Sequence, residues 1–138
     1  LKEYETVWMG EERLTKLGLS RYAGFAEGIP PEVEASHFNT FLEPFAKKYQ
    51  LSVNELVHQF NDGKIKDQEM IDFFNHDRAM RESGHDTTYR WRVRGKDRAS
   101  DFVTVDLNSL LYKYELDFAY LIREYFNDNF RGKAANVF

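Results

Sequence analysis

The sequence predicts an all-α fold of helical hairpins joined by short turns and long loops. Two capping boxes, Thr40 with Glu43 and Ser52 with Glu55, each mark the first turn of a helix. A segment near the C-terminus adds a third signal, because its apolar residues recur at helical spacing. The chain has 138 residues, of which 42% are hydrophobic, so we predict one domain over residues 1–138.

The N-terminal part combines a weak helix with a long loop. Residues 1–18 have scattered apolar positions at helical spacing, interrupted by Gly10, which predicts a partial helix. Residues 19–31 contain two glycines and two prolines, which is typical of a loop. Loops of this length often carry function, so the end of this one is a candidate site.

The middle of the chain predicts three short helices. The first begins at the Thr40 cap, has Pro44 in its first turn and ends near residue 49. The second follows Ser52 and stops at Gly63, where glycine commonly ends a helix. Asp67 caps the third helix, which runs through several apolar residues and stops near Gly84.

The C-terminal part predicts a basic hairpin followed by the longest helix. Basic residues alternate along residues 90–98 and the chain turns at Gly95, which indicates an irregular hairpin. Asp106 is in position to be the N-cap of the following helix. Its apolar residues share one helical face: Leu107, Leu110, Leu111, Tyr114, Phe118, Leu121, Ile122 and Tyr125.

Composition excludes several classes of function. The formal net charge of −4, from 23 acidic and 19 basic side chains, gives no overall field that would attract polyanions. The chain has no cysteine, which excludes disulfides and thiolate chemistry. No apolar run approaches the roughly 18 residues of a membrane span, so we expect a soluble, cytosolic protein with no membrane partner. The start lacks Met and is helix-like, and we therefore expect an internal segment of a longer protein.

Two His-Asp pairs, His76-Asp77 and His85-Asp86, resemble the metal-binding dyads of helical phosphohydrolases. Only two other histidines are present in the chain, and neither is part of a second ligand motif. We therefore expect no metal, and we expect His76 to be an exposed helical side chain.

The basic run at residues 90–98 contains Tyr89 and Trp91 at its start, and such a surface could stack bases and neutralise phosphates. The same alternation is typical of a solvated hairpin, and core packing is the simpler role for Trp91. The acidic chain disfavours nucleic acid as a partner. A helical interaction module with this basic-aromatic surface remains the alternative function.

Two carboxylates and an arginine form a third candidate site. Asp86 follows Gly84 just beyond a helix end, so its carboxylate can point into a cavity, and Arg81 can offer a bidentate fork. Glu32 ends the Gly- and Pro-rich loop. From spacing alone, a turn-capping Asp, a surface ion pair for Arg81 and a helix-start charge for Glu32 are the simpler interpretations.

Longer motifs decide between these readings. Residues 81–91, "RESGHDTTYRW", and 104–117, "TVDLNSLLYKYELD", resemble the trehalases, specifically the fungal neutral, cytosolic ones. Residues 5–22, "ETVWMGEERLTKLGLSRY", and 28–34, "GIPPEVE", resemble the same family in the expected order. The resemblance covers nearly all of the chain, as far as about Asn127.

The resemblance implies a fragment of an (α/α)6 barrel and hydrolysis of α,α-trehalose to two glucose molecules with inversion. In the family's Ser-Gly-aromatic-Asp motif the Asp is the general acid, which places that role on Asp86 and puts His85 at the aromatic position. Gly84 then contacts substrate through its backbone. Bacterial relatives have Arg-Pro-Glu at this chain's Pro30 to Glu32, so Glu32 matches the sugar-binding carboxylate, and we expect Arg81 to supply the missing guanidinium.

The chain also departs from the family pattern. It lacks both longer trehalase signatures and any segment that matches the catalytic base. The phosphorylatable segment and the calcium-binding region, through which fungal neutral trehalases are controlled, including by 14-3-3 proteins, do not occur in it. We therefore expect no cofactor in this chain, an association with the remainder of the barrel, and no trehalose hydrolysis by residues 1–138 alone.

Overall fold

The computed structural model describes residues 1–86 and 89–138, and helices dominate these ranges. The α-helices are α1 (Asn39–Tyr49), α2 (Val53–Asn61), α3 (Gln68–Glu82) and α4 (Val105–Tyr125). A small antiparallel sheet pairs β1 (Arg92–Val93) with β2 (Lys96–Asp97). A π-helical turn spans Tyr4–Trp8, and 3-10 turns span Ala99–Asp101 and Ala135–Val137. Within the described ranges, no helix has the length and hydropathy that a membrane span requires.

The chain forms two compact units. One unit comprises Leu1–Tyr22 and Asp101–Phe138, and the other comprises Ala23–Ser100. The candidate residues Glu32, Arg81, Gly84 and Asp86 all belong to the second unit. The expectation of a single partial catalytic domain stays a prediction.

An aromatic core holds α1, α2 and α3 together in the second unit. Phe74 of α3 is almost completely buried and packs edge-on against Phe38, with ring centroids 5.1 Å apart. Phe41 and Phe73 stack face to face at 3.6 Å. Leu56 and Met70 fill the space beside these rings and are fully buried. Side chains of this size dominate the free energy of packing, so this core fixes the position of α3.

The start signals of α2 and α3 are confirmed. The Ser52 hydroxyl accepts a hydrogen bond from the Glu55 N–H at 3.3 Å, and the Glu55 carboxylate accepts from the Ser52 N–H at 3.0 Å. Asp67 accepts from the N–H groups of Glu69 and Met70 at 3.0 and 3.3 Å. Each cap satisfies backbone donors that a helix start leaves without an intrahelical partner.

The predicted start of α1 is wrong. The helix begins at Asn39, its N-cap is Phe38, and no side chain caps it. Phe38 is buried against Phe74, so tertiary packing rather than a capping box sets this helix start. Pro44 consequently lies inside the helix and not in its first turn, which removes the usual hydrogen bond to the Thr40 carbonyl.

The predicted details of α4 need two corrections. The N-cap is Thr104 rather than Asp106, and the Asp106 carboxylate accepts from the adjacent Leu107 N–H at 3.0 Å. The apolar face is also split: Leu107, Leu111 and Ile122 are buried. The remaining exposed members of the face are Leu110, Tyr114, Leu121 and Tyr125. Helical spacing places side chains on a face but does not say how wide a part of that face is covered.

The first unit packs around Tyr4. Its ring meets Phe118 edge-on at 5.6 Å and Phe138 at 6.2 Å, and its hydroxyl donates to Glu115. Asn108 of α4 holds the Ser20 backbone through both groups of its side-chain amide, at 2.8 and 2.9 Å. In the N-terminal part, helical structure spans residues 2–8 and includes the π-helical turn Tyr4–Trp8. The expected loop over residues 19–31 is confirmed.

The expected hairpin is also confirmed, with Arg92 opposite Asp97 and Val93 opposite Lys96. Trp91 precedes β1 and is 1% exposed, so its role is the core role that was the simpler interpretation. Thr87 and Thr88, which belong to the trehalase-like motif at residues 81–91, lie outside the described residues.

Candidate functional site

The loop before Glu32 is fastened to α3 and α2 by side-chain contacts. The Ala23 N–H donates to Glu82 at 2.8 Å, and the Arg78 guanidinium donates to the carbonyl of Gly28 at 2.5 Å. The Ile29 N–H donates to the Asn61 side chain at 2.8 Å. These bonds satisfy backbone groups of a segment without regular structure and give the loop a defined path toward Glu32.

Gly24 permits a close approach of this loop to α3. A Cβ atom at this position would lie 2.2 Å from the Arg78 Cβ and 3.1 Å from its carbonyl carbon. Neither atom is the free end of a mobile side chain, so an added methyl group would push the loop away from the helix. Only glycine fits without such a displacement.

We therefore expect Gly24→Ala to destabilise the folded protein by about 1–3 kcal/mol, the usual cost of overpacking. Thermal denaturation of the variant and of the wild-type protein measures the loss. An unchanged melting temperature would mean that the loop and α3 pack less tightly than the structure indicates.

Arg81 is held between two carboxylates. Its Nε donates to Asp77 Oδ2 at 2.7 Å and its Nη2 reaches Asp77 Oδ1 at 3.5 Å. Its Nη1 forms an ion pair with Glu32 Oε1. The Asp77 and Glu32 side chains are 9% and 19% exposed, whereas Arg81 is 36% exposed, so the pairs join residues of unequal burial. Glu32 and Arg81, far apart in sequence, are thus brought together.

Partial burial lowers the pKa of Arg81, but hydrogen bonding to Asp77 and the charges of Asp77 and Glu32 outweigh it and raise that pKa above its ordinary value. Arg81 therefore stays cationic throughout the pH range in which the protein is folded. The guanidinium carbon of Arg81, Cζ, also lies 5.9 Å from the ring centroid of Phe38, which belongs to the aromatic core.

The segment from Ser83 to Asp86 leaves α3 through a tight turn. Gly84 has a φ of +71°, which favours glycine, and its N–H donates to the Arg81 carbonyl at 3.0 Å. The Ser83 hydroxyl accepts from the His85 N–H at 3.0 Å, and the buried Trp91 donates its indole N–H to the His85 carbonyl at 3.3 Å. Asp86 follows this turn and is exposed.

The structure therefore joins Glu32 and Arg81 directly and places Gly84 and Asp86 one turn beyond Arg81. Glu32 precedes a series of turns rather than the start of a helix, which excludes the helix-charge interpretation. Asp77 was not among the predicted site residues. Its spacing of four residues from Arg81 on the same helix was the sequence signal that could have identified it.

The prediction that His76 is exposed is wrong. His76 is 8% exposed, and its Nδ1 lies 2.7 Å from the Ser100 hydroxyl and 3.3 Å from the Ser100 backbone nitrogen. Since the backbone N–H donates, Nδ1 acts as an acceptor. His76 fastens the segment after the hairpin to α3. Within residues 1–86 and 89–138, no group of three His, Asp or Glu side chains could hold a metal ion.

The basic hairpin surface is partly neutralised. Lys96 donates to Glu69 at 2.9 Å, and Arg92 lies 3.6 Å from Asp97 across the sheet. Of the two aromatic residues at its start, Tyr89 is exposed and Trp91 is buried. The arrangement offers one ring for stacking where the sequence had suggested two.

Comparisons with known proteins agree with the motifs. The Trehalase family model matches residues 1–137, beyond the limit near Asn127 that the motifs suggested. The chain belongs to the trehalase family. The cytosolic neutral trehalase of Neurospora crassa is 52% identical over 131 residues, 94% of this chain and 17% of that protein. The one from Emericella nidulans is 54% identical over 130 residues, 93% of this chain and 17% of that protein.

A solved structure supports the same conclusion for the fold. The neutral trehalase from Saccharomyces cerevisiae matches with a TM-score of 0.89 and 45% identity, over 98% of this chain and 25% of that one. The expected fold class, an all-α fragment of an (α/α)6 barrel, is confirmed, with a small hairpin added to the helices. The chain spans about 17% of the length of the trehalases it matches, and the expected cytosolic location agrees with their names.

Proposed function

We propose that this chain is part of the catalytic domain of a neutral trehalase, which hydrolyses α,α-trehalose to two glucose molecules with inversion. The observation that carries the proposal is the Glu32–Arg81 ion pair. It joins the two segments that resemble the family's sugar-binding motifs, in a chain that matches trehalases along nearly its whole length.

In the proposed mechanism, Asp86 is the general acid that protonates the departing glycosidic oxygen. Its place beyond the Gly84 turn supports this role, because Asp86 is exposed and can contact a substrate. Inversion also requires a base that activates water on the opposite face of the sugar, with the carboxyl groups roughly 6.5–9.5 Å apart. We assign no residue of this chain to the base.

Glu32 and Arg81 bind the substrate in this scheme. A carboxylate accepts hydrogen bonds from sugar hydroxyls and a guanidinium donates to them, so the pair can fix the ring against Asp86. The Gly84 backbone contributes a contact that needs no side chain. These groups act by positioning and proton transfer, and the scheme requires no cofactor in this chain.

The test is release of glucose from trehalose by a full-length protein that carries this segment. Two equivalents of glucose should form per trehalose, and the first product detected by NMR should include the β-anomer that inversion generates. Maltose is a suitable control, because it contains an α-glucosidic bond but not the 1,1 linkage. Failure to cleave trehalose under conditions in which the protein is folded would contradict the proposal.

Residues 1–138 alone are expected to release no glucose from trehalose. The expected reason is that Asp86, Glu32 and Arg81 supply the acid and two sugar contacts, whereas the activated water needs a base from elsewhere. The same glucose assay on the purified chain measures this, with the full-length protein as the positive control. Turnover by the chain alone would show that it contains its own base.

A further inference from the structure

Asp77 holds Arg81 by the edge of the guanidinium that does not face Glu32. The two residues are four apart on α3, so their side chains project from the same helical face. Asp77 takes Nε and Nη2, and Glu32 takes Nη1. Arg81 is thereby fixed in orientation from both sides, and the Asp77 side chain is the more buried of the two acids.

A count of donors shows what this arrangement leaves available. A guanidinium has five N–H donors, and the hydrogen bonds to Asp77 use one on Nε and one on Nη2, while Nη1 faces Glu32 as an ion pair. Asp77 therefore leaves N–H groups of the adjacent nitrogens Nη1 and Nη2 unused, on a side chain that is 36% exposed. Such donors can bind neighbouring sugar hydroxyls.

We propose that Asp77 is a positioning residue for the trehalose site, which keeps Arg81 from closing a bidentate pair on Glu32. This inference rests on the proposed function. An arginine that loses its partner on one edge turns readily toward a neighbouring carboxylate and pairs with both of its oxygens. That movement would consume the donors of Arg81 and the acceptors of Glu32 that the sugar needs.

The expected effect is on substrate affinity rather than on the chemical step. Arg81 contacts the sugar equally in the ground state and in the transition state, so loss of its orientation removes uniform binding. In the full-length protein, Asp77→Asn should raise the KM for trehalose by about tenfold, with kcat changed by less than about threefold. The neutral amide keeps the shape of Asp77 but not its charge.

Matched variants separate positioning from folding. Asp72→Asn makes the same change on the same helix, at an exposed carboxylate bonded to Gln68, and should leave KM unchanged. Asp77→Glu keeps the charge and moves it by about one methylene. The KM of this variant for trehalose should therefore lie between the KM values of the wild type and of Asp77→Asn, and its melting temperature should stay close to that of the wild type. This variant keeps the test decisive if Asp77→Asn unfolds.

A double-mutant cycle supplies the decisive measurement. A lysine ammonium cannot bind Asp77 and Glu32 through two separate edges, as the Arg81 guanidinium does. In an Arg81→Lys background, Asp77→Asn should therefore change the KM for trehalose by less than about twofold. A full tenfold effect in that background would overturn the proposal, as would an unchanged KM in both single Asp77 variants. If the wild-type protein releases no glucose from trehalose, the proposed function itself fails. An active wild type with these negative results contradicts only the role of Asp77.

Discussion

Replacing Asp86 by Asn in the full-length protein is expected to reduce trehalose turnover by about 10²–10⁴-fold, while trehalose still binds. Asn has the size of Asp but no proton that it can give to the departing oxygen. Glu32 and Arg81 remain paired in the variant, because neither contact involves Asp86. Steady-state kinetics and calorimetric titration of trehalose into the variant measure the two parts of the prediction.

A substrate with a better leaving group identifies the step that is lost. α-D-Glucosyl fluoride needs little protonation as fluoride departs, so Asp86→Asn should impair its hydrolysis far less than that of trehalose. Asp62→Asn, at an exposed carboxylate paired with Lys64, is the control and should retain full activity. Near-normal trehalose turnover by Asp86→Asn would mean that another residue is the acid.

Replacing Asp67 by Ala is expected to cost about 3 kcal/mol of folding free energy, the largest effect on stability that we predict. Asp67 is 6% exposed and caps α3, while its second oxygen accepts from Lys48 at 2.7 Å and Tyr49 at 2.8 Å. Ala leaves the first amides of α3 and the Tyr49 hydroxyl without an acceptor. Thermal denaturation, together with faster hydrogen exchange of the Glu69 and Met70 amides, measures the loss.

The Asp67 contribution should also depend on pH. Burial raises the pKa of Asp67, but hydrogen bonds from Lys48, Tyr49 and the Met70 amide outweigh it, so the folded-state pKa is lowered. A lowered pKa means that the stabilisation is fully present above the ordinary value of about 3.9 and is lost as the pH falls through the folded value.

Asp67→Asn is the matched variant for this prediction. Asn is an effective N-cap, so this variant should lose roughly half as much stability as Asp67→Ala and should lose the acid dependence that arises at this site. Melting temperatures of both variants between about pH 3 and pH 7 distinguish the cap from the charge. Equal losses in both variants at neutral pH would show that the cap contributes nothing.

The sequence identified those helix ends that depend on local chemistry. Ser52 with Glu55 and the Asp67 carboxylate act on amides within a few residues, so their spacing was enough to place α2 and α3. The start of α1 was missed because Phe38 is buried by residues distant in sequence. Local spacing contains no information about that contact.

The candidate site likewise combines residues that local sequence identifies with a contact between residues distant in sequence. The motifs led to Glu32, Arg81, Gly84 and Asp86, but from spacing alone the two carboxylates and the arginine each had a simpler interpretation. The Glu32–Arg81 pair depends on how the loop lies against α3, which only the structure describes. Asp77 lies four residues before Arg81 on α3, a spacing from which their contact could have been predicted.

The contact between Gly24 and Arg78 has a mechanical consequence for the site. Because the loop backbone rests directly on α3, Glu32 and Arg81 are carried by one body whose position is set by Phe38 and Phe74. Thermal motion that displaces the helix displaces both charges together, so their separation is preserved. The proposed binding pair, of which Glu32 lies on an irregular segment, thereby acquires the positional accuracy of the aromatic core.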